Sequence, residues 1–264
     1  MKIVGQTKLL NKINNTTIDT FPHTLLLVGE LGSGKHLLCN MIHDHLSLPL
    51  VDITDDISFE TITDIYLSVE PTLYLIDGTK ITDRKENALL KLIEEPPKNS
   101  FIMIICEATQ QLLPTIINRC QVWYLEKYSV EQLREFTNDE RILNIARTPG
   151  QVIKLTNQNV EGIISLCSTI IDKIGNANYA NTLTITDKVA LNNEAEKFDV
   201  DCFIRFMLFI LTQRLVHETD NVKSTKLRQA YFATNELYND RYIPHINMRN
   251  LFDNYITHIK YILS

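Results

Sequence analysis

The first half of the chain alternates short, continuous apolar runs with segments whose apolar residues recur at helical spacing. "TLLLVG" from Thr24, "TLYLID" from Thr72 and "SFIMIIC" from Ser100 are apolar almost throughout, and between them lie the amphipathic "KHLLCNMIHDHL" and "RKENALLKLIEE". Strands buried on both faces of a sheet read as unbroken apolar runs, and strands that alternate with helices build a parallel sheet covered on both sides. This half is predicted to be an α/β layer with a parallel sheet. From Lys127 onward the strand-like runs stop, and Leu227, Ala230, Tyr231, Thr234, Leu237 and Tyr238 follow helical spacing. The second half is predicted to be mostly helical. Pro149-Gly150 reads as a turn between the halves, and "NQNVEG" and "GNANYANT" read as later linkers. A helix is predicted from Thr82, its cap, with Asp83 in the first turn. Its apolar stripe is Ala88, Leu89, Leu92 and Ile93, and Pro96-Pro97 stops it.

Composition narrows the class. The 264 residues suffice for two or three compact units, and 44% hydrophobic with 22% charged residues describes a globular chain rather than a disordered one. A net charge of −6 argues against gripping nucleic acid through a general excess of positive charge, so any DNA contact is expected to be shared with partners. The opening residues lack a long apolar stretch, and "CFIRFMLFILTQRL" from Cys202 is short and holds Arg205. A cytoplasmic protein without a membrane partner is expected. The five cysteines are scattered and form no C-x-x-C pair, which indicates neither a disulfide framework nor a zinc site. His43 and His45 stand two apart, point to different sides of a helix and read as solvated positions.

One stretch carries candidate chemistry. "GELGSGKH", from Gly29 to His36, has the form of a phosphate-cradling loop, G-x-x-x-x-G-K-[ST], except at its last position. The bare pattern arises by chance in roughly one chain in ten of this length. Here a strand-like run enters it and a helical run leaves it, the context that aims backbone N–H groups and a helix N-terminus at phosphates. Gly29, Gly32 and Gly34 would allow the close turn, and Lys35 would place its charge on the β and γ phosphates. His36 stands where a Ser or Thr hydroxyl would bind Mg²⁺, an ion that prefers hard oxygen ligands. In "LYLIDGTK", Asp77 occupies the end of an apolar strand, where a carboxylate orients the magnesium shell, and Gly78 stands where a water-positioning Glu belongs. Losing such a carboxylate removes about 10² to 10⁴ in rate. Two absences in one site point the same way. ATP or ADP binding in this loop is expected to be weak or absent, and hydrolysis very poor.

The segment "NALLKLIEEPPKNSFIMIICEATQQLLPTIINRCQ", from Asn87 to Gln121, resembles the clamp-loader AAA+ proteins of DNA replication, and so do "IVGQ" from Ile3, the phosphate loop, "LIDGTK" and, more faintly, "TPGQVIKL" and "INMRNLFDNYI". The lost hydrolytic residues are most similar to the delta-prime class of that family. The resemblance implies an AAA+ P-loop α/β domain over 1–126, a helical lid over 127–158 and a helical collar over 159–264. It also implies partners: motor and delta-type subunits of a five-membered ring, a sliding clamp, and primer–template DNA reached through the complex. Arg119 matches the family's arginine finger, which reaches into a neighbour's ATP site. The motif departs from the family in reading Asn118-Arg119-Cys120, with Asn for Ser, and a four-cysteine zinc module found in bacterial members is absent from 42–71. The sensor position falls near Cys106 or Glu107.

Plainer readings stand beside these. Arg119 could pair on the surface with Glu94 or Glu95, Cys120 reads as a small buried apolar group, and Lys80, Arg84 and Lys85 read as a solvated face sooner than as a DNA contact. Two other functions fit less of the pattern. One is an ATP-hydrolysing motor subunit of the same family; the other is a degenerate P-loop scaffold outside replication.

Overall fold

The computed structural model describes residues 3–81, 83–177, 200–240, 243 and 246–264. Thr82, the expected helix cap, and residues 178–182 of the "GNANYANT" linker lie outside them. The chain divides into two compact units, residues 1–135 with 147–151, and residues 136–146 with 152–264.

The first unit is built on a five-stranded parallel sheet. Its strands are β1 (Thr24–Val28), β2 (Leu50–Asp52), β3 (Thr72–Asp77), β4 (Ser100–Cys106) and β5 (Gln121–Tyr124), in the order β2-β3-β4-β1-β5. Leu26 pairs with Ile104, and Ile76 with the same Ile104 from the other side, so the central strands are locked in register. Their apolar runs are unbroken because both faces are covered. Leu26, Val28, Tyr74, Ile76, Ile102 and Ile104 join one buried cluster with residues of α3 (Phe59–Leu67), α4 (Asp83–Glu94) and α5 (Pro114–Ile117). Leu25, Leu27, Leu73, Leu75, Phe101 and Met103 face the opposite cluster with α1 (Thr7–Asn14) and α2 (Lys35–Leu46). A one-residue slip would exchange these faces, which is why the register is so strongly specified. The predicted stripe of α4 is in place: Leu89, Leu92 and Ile93 are buried and Ala88 packs against them.

Between the strands, local chemistry sets the helix starts. Ser58 caps α3 by accepting from the Thr61 amide at 3.1 Å, and Ser129 and Gln132 form a reciprocal capping box on α6 (Val130–Leu133). Pro149-Gly150, expected as a turn, instead opens the helix α8 (Pro149–Thr156). Proline is favoured at a first helical position, where its missing N–H would have no partner. The sequence T-P-G-Q is itself a cap signal: the Gln151 amide donates to Thr148 Oγ1 at 3.3 Å.

The second unit is helical, as expected. It contains α7 (Glu140–Ile145), the later part of α8, α9 (Val160–Lys173), α10 (Val200–His217), α11 (Asn221–Asp240) and α12 (Met248–Leu263). The "NQNVEG" linker is short and ends in a cap, with Asn159 Oδ1 accepting from the Gly162 amide at 2.9 Å. α11 buries Leu227, Ala230, Ala233, Thr234 and Leu237, close to the predicted stripe. Phe203 and Phe252 meet edge to face at 5.3 Å in the core. Arg205, the charge within the greasiest stretch, is buried and donates to the Tyr238 hydroxyl at 2.9 Å. No helix among the described residues is long and apolar enough to cross a membrane.

Candidate nucleotide site

In a parallel sheet, ligands bind outside the carboxyl ends of the strands, where connections diverge. β1, β3 and β4 bring the candidate residues to that edge: the glycine-rich loop follows Val28, Asp77 ends β3, and Cys106 ends β4 with Glu107 directly after it. The loop is tied to the sheet by the Gly29 amide, which donates to the Cys106 carbonyl at 3.1 Å. Gly32 and Gly34 have φ of 77° and 94°, conformations that a side chain strains, and Gly34 hands the chain directly into α2. The chain therefore turns sharply at two glycines between β1 and α2.

Its lysine is engaged within the loop. Lys35 is 8% exposed, and its ammonium donates to the carbonyl oxygens of Gly29 and, at 3.1 Å, Glu30. Burial lowers its pKa, and the negative charge of Glu107, then of groups including Asp77, acts against that shift. Lys35 is thus buried near acidic groups and faces carbonyls of its own loop.

Three residues outside the motif clasp the same loop. The Thr148 hydroxyl donates to the Leu31 carbonyl at 2.7 Å, the Gly150 amide to the Gly32 carbonyl at 3.0 Å, and the Tyr128 hydroxyl to the Ser33 carbonyl at 2.7 Å. A Cβ on Gly150 would stand 2.5 Å from the Cα of Gly32, so the two backbones touch only because both residues are glycine. Sequence reasoning missed these clasps. The T-P-G-Q cap signal marks Thr148, but nothing in the sequence marks Tyr128.

His36 is exposed on the first turn of α2. Asp77 Oδ1 accepts from both the amide and the hydroxyl of Thr79, at 3.0 and 2.7 Å. Gly78 is buried, and a Cβ there would lie 3.0 Å from the Ile105 carbonyl oxygen and 3.1 Å from Leu112. The position after Asp77 thus has little room for any side chain. Beyond β4, the Gln111 side chain accepts from the amides of Glu107 and Ala108, which fixes the turn carrying Glu107.

Arg119 sits apart from this edge, just after α5. Its Nη2 lies 2.7 Å from Glu94 Oε1 and its Nη1 donates to the Thr115 carbonyl at 2.8 Å. Cys120 donates its thiol to the Ile116 carbonyl, and burial pushes its pKa up to about 12, which suits a packing group. Lys85 Nζ donates to the carbonyls of Thr54 and Asp55, and Lys80 approaches Asp55 at 3.9 Å, so both lysines are held against the loop after β2.

Comparison with known proteins adds the family. Residues 67–129 match the family model described as DNA polymerase III, delta subunit. The chain is 31% identical over 99 residues to the DNA polymerase III subunit delta′ of Haemophilus influenzae, covering 35% of this chain and 30% of that protein. It is 24% identical over 234 residues to the DNA polymerase III subunit gamma of Buchnera aphidicola, covering 74% of this chain and 64% of that one. The matches thus span less than two thirds of these relatives' own lengths. In fold it is similar to the crystal structure of a DNA polymerase III gamma subunit-related protein of Thermotoga maritima, with a TM-score of 0.50 at 16% identity over 98% of this chain and 100% of that one. The matched segment, from the end of α3 through the Arg119 turn, and the relatives' names support a place for this chain among clamp-loader AAA+ proteins, at distant identity.

Proposed function

We propose that this chain is a non-hydrolysing, delta-prime-type subunit of a five-membered clamp loader that places a sliding clamp on primed DNA. In that ring it lends Arg119 to the ATP site of the adjacent motor subunit and has little or no turnover of its own. The observation that carries the reading is the state of the loop. Lys35 is spent on the carbonyls of Gly29 and Glu30, and Thr148, Gly150 and Tyr128 hold the loop from outside. His36 and Gly78 add the loss of the magnesium hydroxyl and the water-positioning carboxylate, and the packing around Gly78 opposes a replacement. The residues present do not fit a hydrolysing Mg·ATP site.

Such a chain still has a chemical task. An arginine finger sets a fixed cation against the charge that spreads over the γ-phosphoryl oxygens as the bond to the leaving oxygen lengthens, an effect worth about 10³ to 10⁵ in rate. Arg119 is 37% exposed, so its guanidinium is accessible from outside the chain. The relatives' names support other clamp-loader subunits as partners; the clamp and primer–template DNA are part of the proposal, and the net charge of −6 fits DNA contact shared among subunits.

The test is ATP turnover by the loader assembled from this chain, its genome's motor and delta-type subunits, clamp and primed DNA. Wild type and Arg119→Ala are compared at equal assembly. Turnover that drops by about two orders of magnitude or more supports the finger; unchanged turnover in a fully assembled ring removes it.

A further inference from the structure

We infer that Glu94 is a positioning residue for Arg119, presetting the guanidinium for the neighbour's ATP site; the inference rests on the finger reading above. Arg119 is held from two directions by groups on different elements. Nη2 meets Glu94 Oε1, on the last residue of α4, at 2.7 Å, and Nη1 donates to the Thr115 carbonyl, in α5, at 2.8 Å. An ion pair at one nitrogen and a hydrogen bond at another restrain both the position and the plane of the guanidinium. Its remaining N–H groups stay available to a phosphoryl oxygen.

Both anchor points are themselves fixed. α4 ends at Glu94, just before Pro96-Pro97, and the Tyr66 hydroxyl donates to the carbonyls of Lys91 and Glu95 at 3.1 Å, pinning that last turn. Ile116, within α5, is fully buried, and the Arg119 amide donates to its carbonyl at 3.0 Å. The Glu94 carboxylate therefore approaches the guanidinium from a rigid base.

The pair contributes orientation in preference to folding energy. The two side chains are 37% and 46% exposed, and ion pairs at that exposure add little to stability. A free arginine samples many rotamers, and freezing it at the moment of reaction costs rate, whereas a guanidinium held beforehand loses less per bond formed. Glu94 never needs to touch ATP. It acts through Arg119.

The experiment uses the assembled loader and measures kcat and the KM for ATP for wild type, Arg119→Ala, Glu94→Ala, Glu94→Gln and the double variant Arg119→Ala/Glu94→Ala. Ring assembly and Trp123 fluorescence report folding. Glu94→Ala is expected to lower kcat about tenfold with KM little changed. Glu94→Gln, which keeps an oxygen of the same reach facing the guanidinium, recovers a large part of the loss. The double variant falls no further than Arg119→Ala alone, because Glu94 has nothing left to position. If Arg119→Ala lowers kcat and Glu94→Ala does not, or if the two losses multiply, the positioning role is wrong and the finger reading survives. If Arg119→Ala itself has no effect, both fall together.

Discussion

Gly32 and Gly150 meet backbone to backbone: the amide of Gly150 donates to the carbonyl of Gly32 at 3.0 Å, and a Cβ on Gly150 would lie 2.5 Å from the Cα of Gly32. A phosphate loop is meant to turn its backbone toward a ligand, and here its crest is joined to the first turn of α8. Gly150→Ala forces the two segments apart. The expected loss is about 1–3 kcal/mol, the usual cost of overpacking a close contact. Urea unfolding followed by Trp123, the single tryptophan and a buried part of the first unit, measures it. An unchanged midpoint would show that the contact is not tight.

The seat of Gly78 makes a second prediction. Restoring the two absent hydrolytic groups with His36→Thr and Gly78→Glu is expected to give no ATP turnover by the isolated chain. The glutamate has to displace the Ile105 carbonyl of β4, 3.0 Å from the nearest Cβ position, and Leu112 beside it. Stability falls by about 1–3 kcal/mol. Turnover gained with the folding midpoint intact would refute the packing argument.

Much of this arrangement is legible in the sequence, and the reasons differ by element. β1, β3 and β4 are readable because both faces of the sheet are covered, so Leu25 to Leu27 or Phe101 to Ile105 carry no polar interruption. The stripe of α11 is readable for the same reason at helical spacing. Pro149-Gly150 misleads because the pair signals a turn in isolation, whereas Thr148 and Gln151 on either side convert it into a capped helix start. The fate of Lys35 is not legible: the motif fixes which residue faces the loop, and only the closed fold shows that carbonyls of Gly29 and Glu30 receive its hydrogens. The pairing of Arg119 with Glu94 is one of two readings that their spacing allows, and the turn after α5 selects it over Glu95.

The thiols around the loop are inert by environment. Burial pushes Cys39 and Cys106 up to about 12, with nearby Lys35 opposing the shift in both cases. The thiolate is the nucleophile, so at pH 8 only about one molecule in 10⁴ is reactive at either position. Alkylation of the native protein should therefore be very slow at pH 8 and quicken about tenfold per pH unit while the fold survives. Mass mapping of the labelled peptides checks it; rapid modification of Cys39 or Cys106 at pH 8 would show that these sites open readily.

In the helical unit, Thr234 Oγ1 and the Tyr255 hydroxyl lie 2.9 Å apart in a fully buried setting. Thr234→Val keeps the shape and leaves the tyrosine hydroxyl without this partner. An orphaned buried polar group costs about 1–3 kcal/mol. Thermal melting followed by helical circular dichroism should register the loss, and Thr234→Val with Tyr255→Phe should recover part of it. Equal stability of Thr234→Val and wild type would mean that the hydroxyl finds another acceptor.

The loop between β1 and α2 keeps two glycine turns while its lysine bonds to the loop's own carbonyls. The most direct test of this arrangement is steady-state Mg·ATP turnover by the isolated chain, measured beside Lys35→Ala. Background turnover is expected from both proteins, with no difference between them. Turnover above background that Lys35→Ala abolishes would contradict it and identify the chain as a motor in its own right.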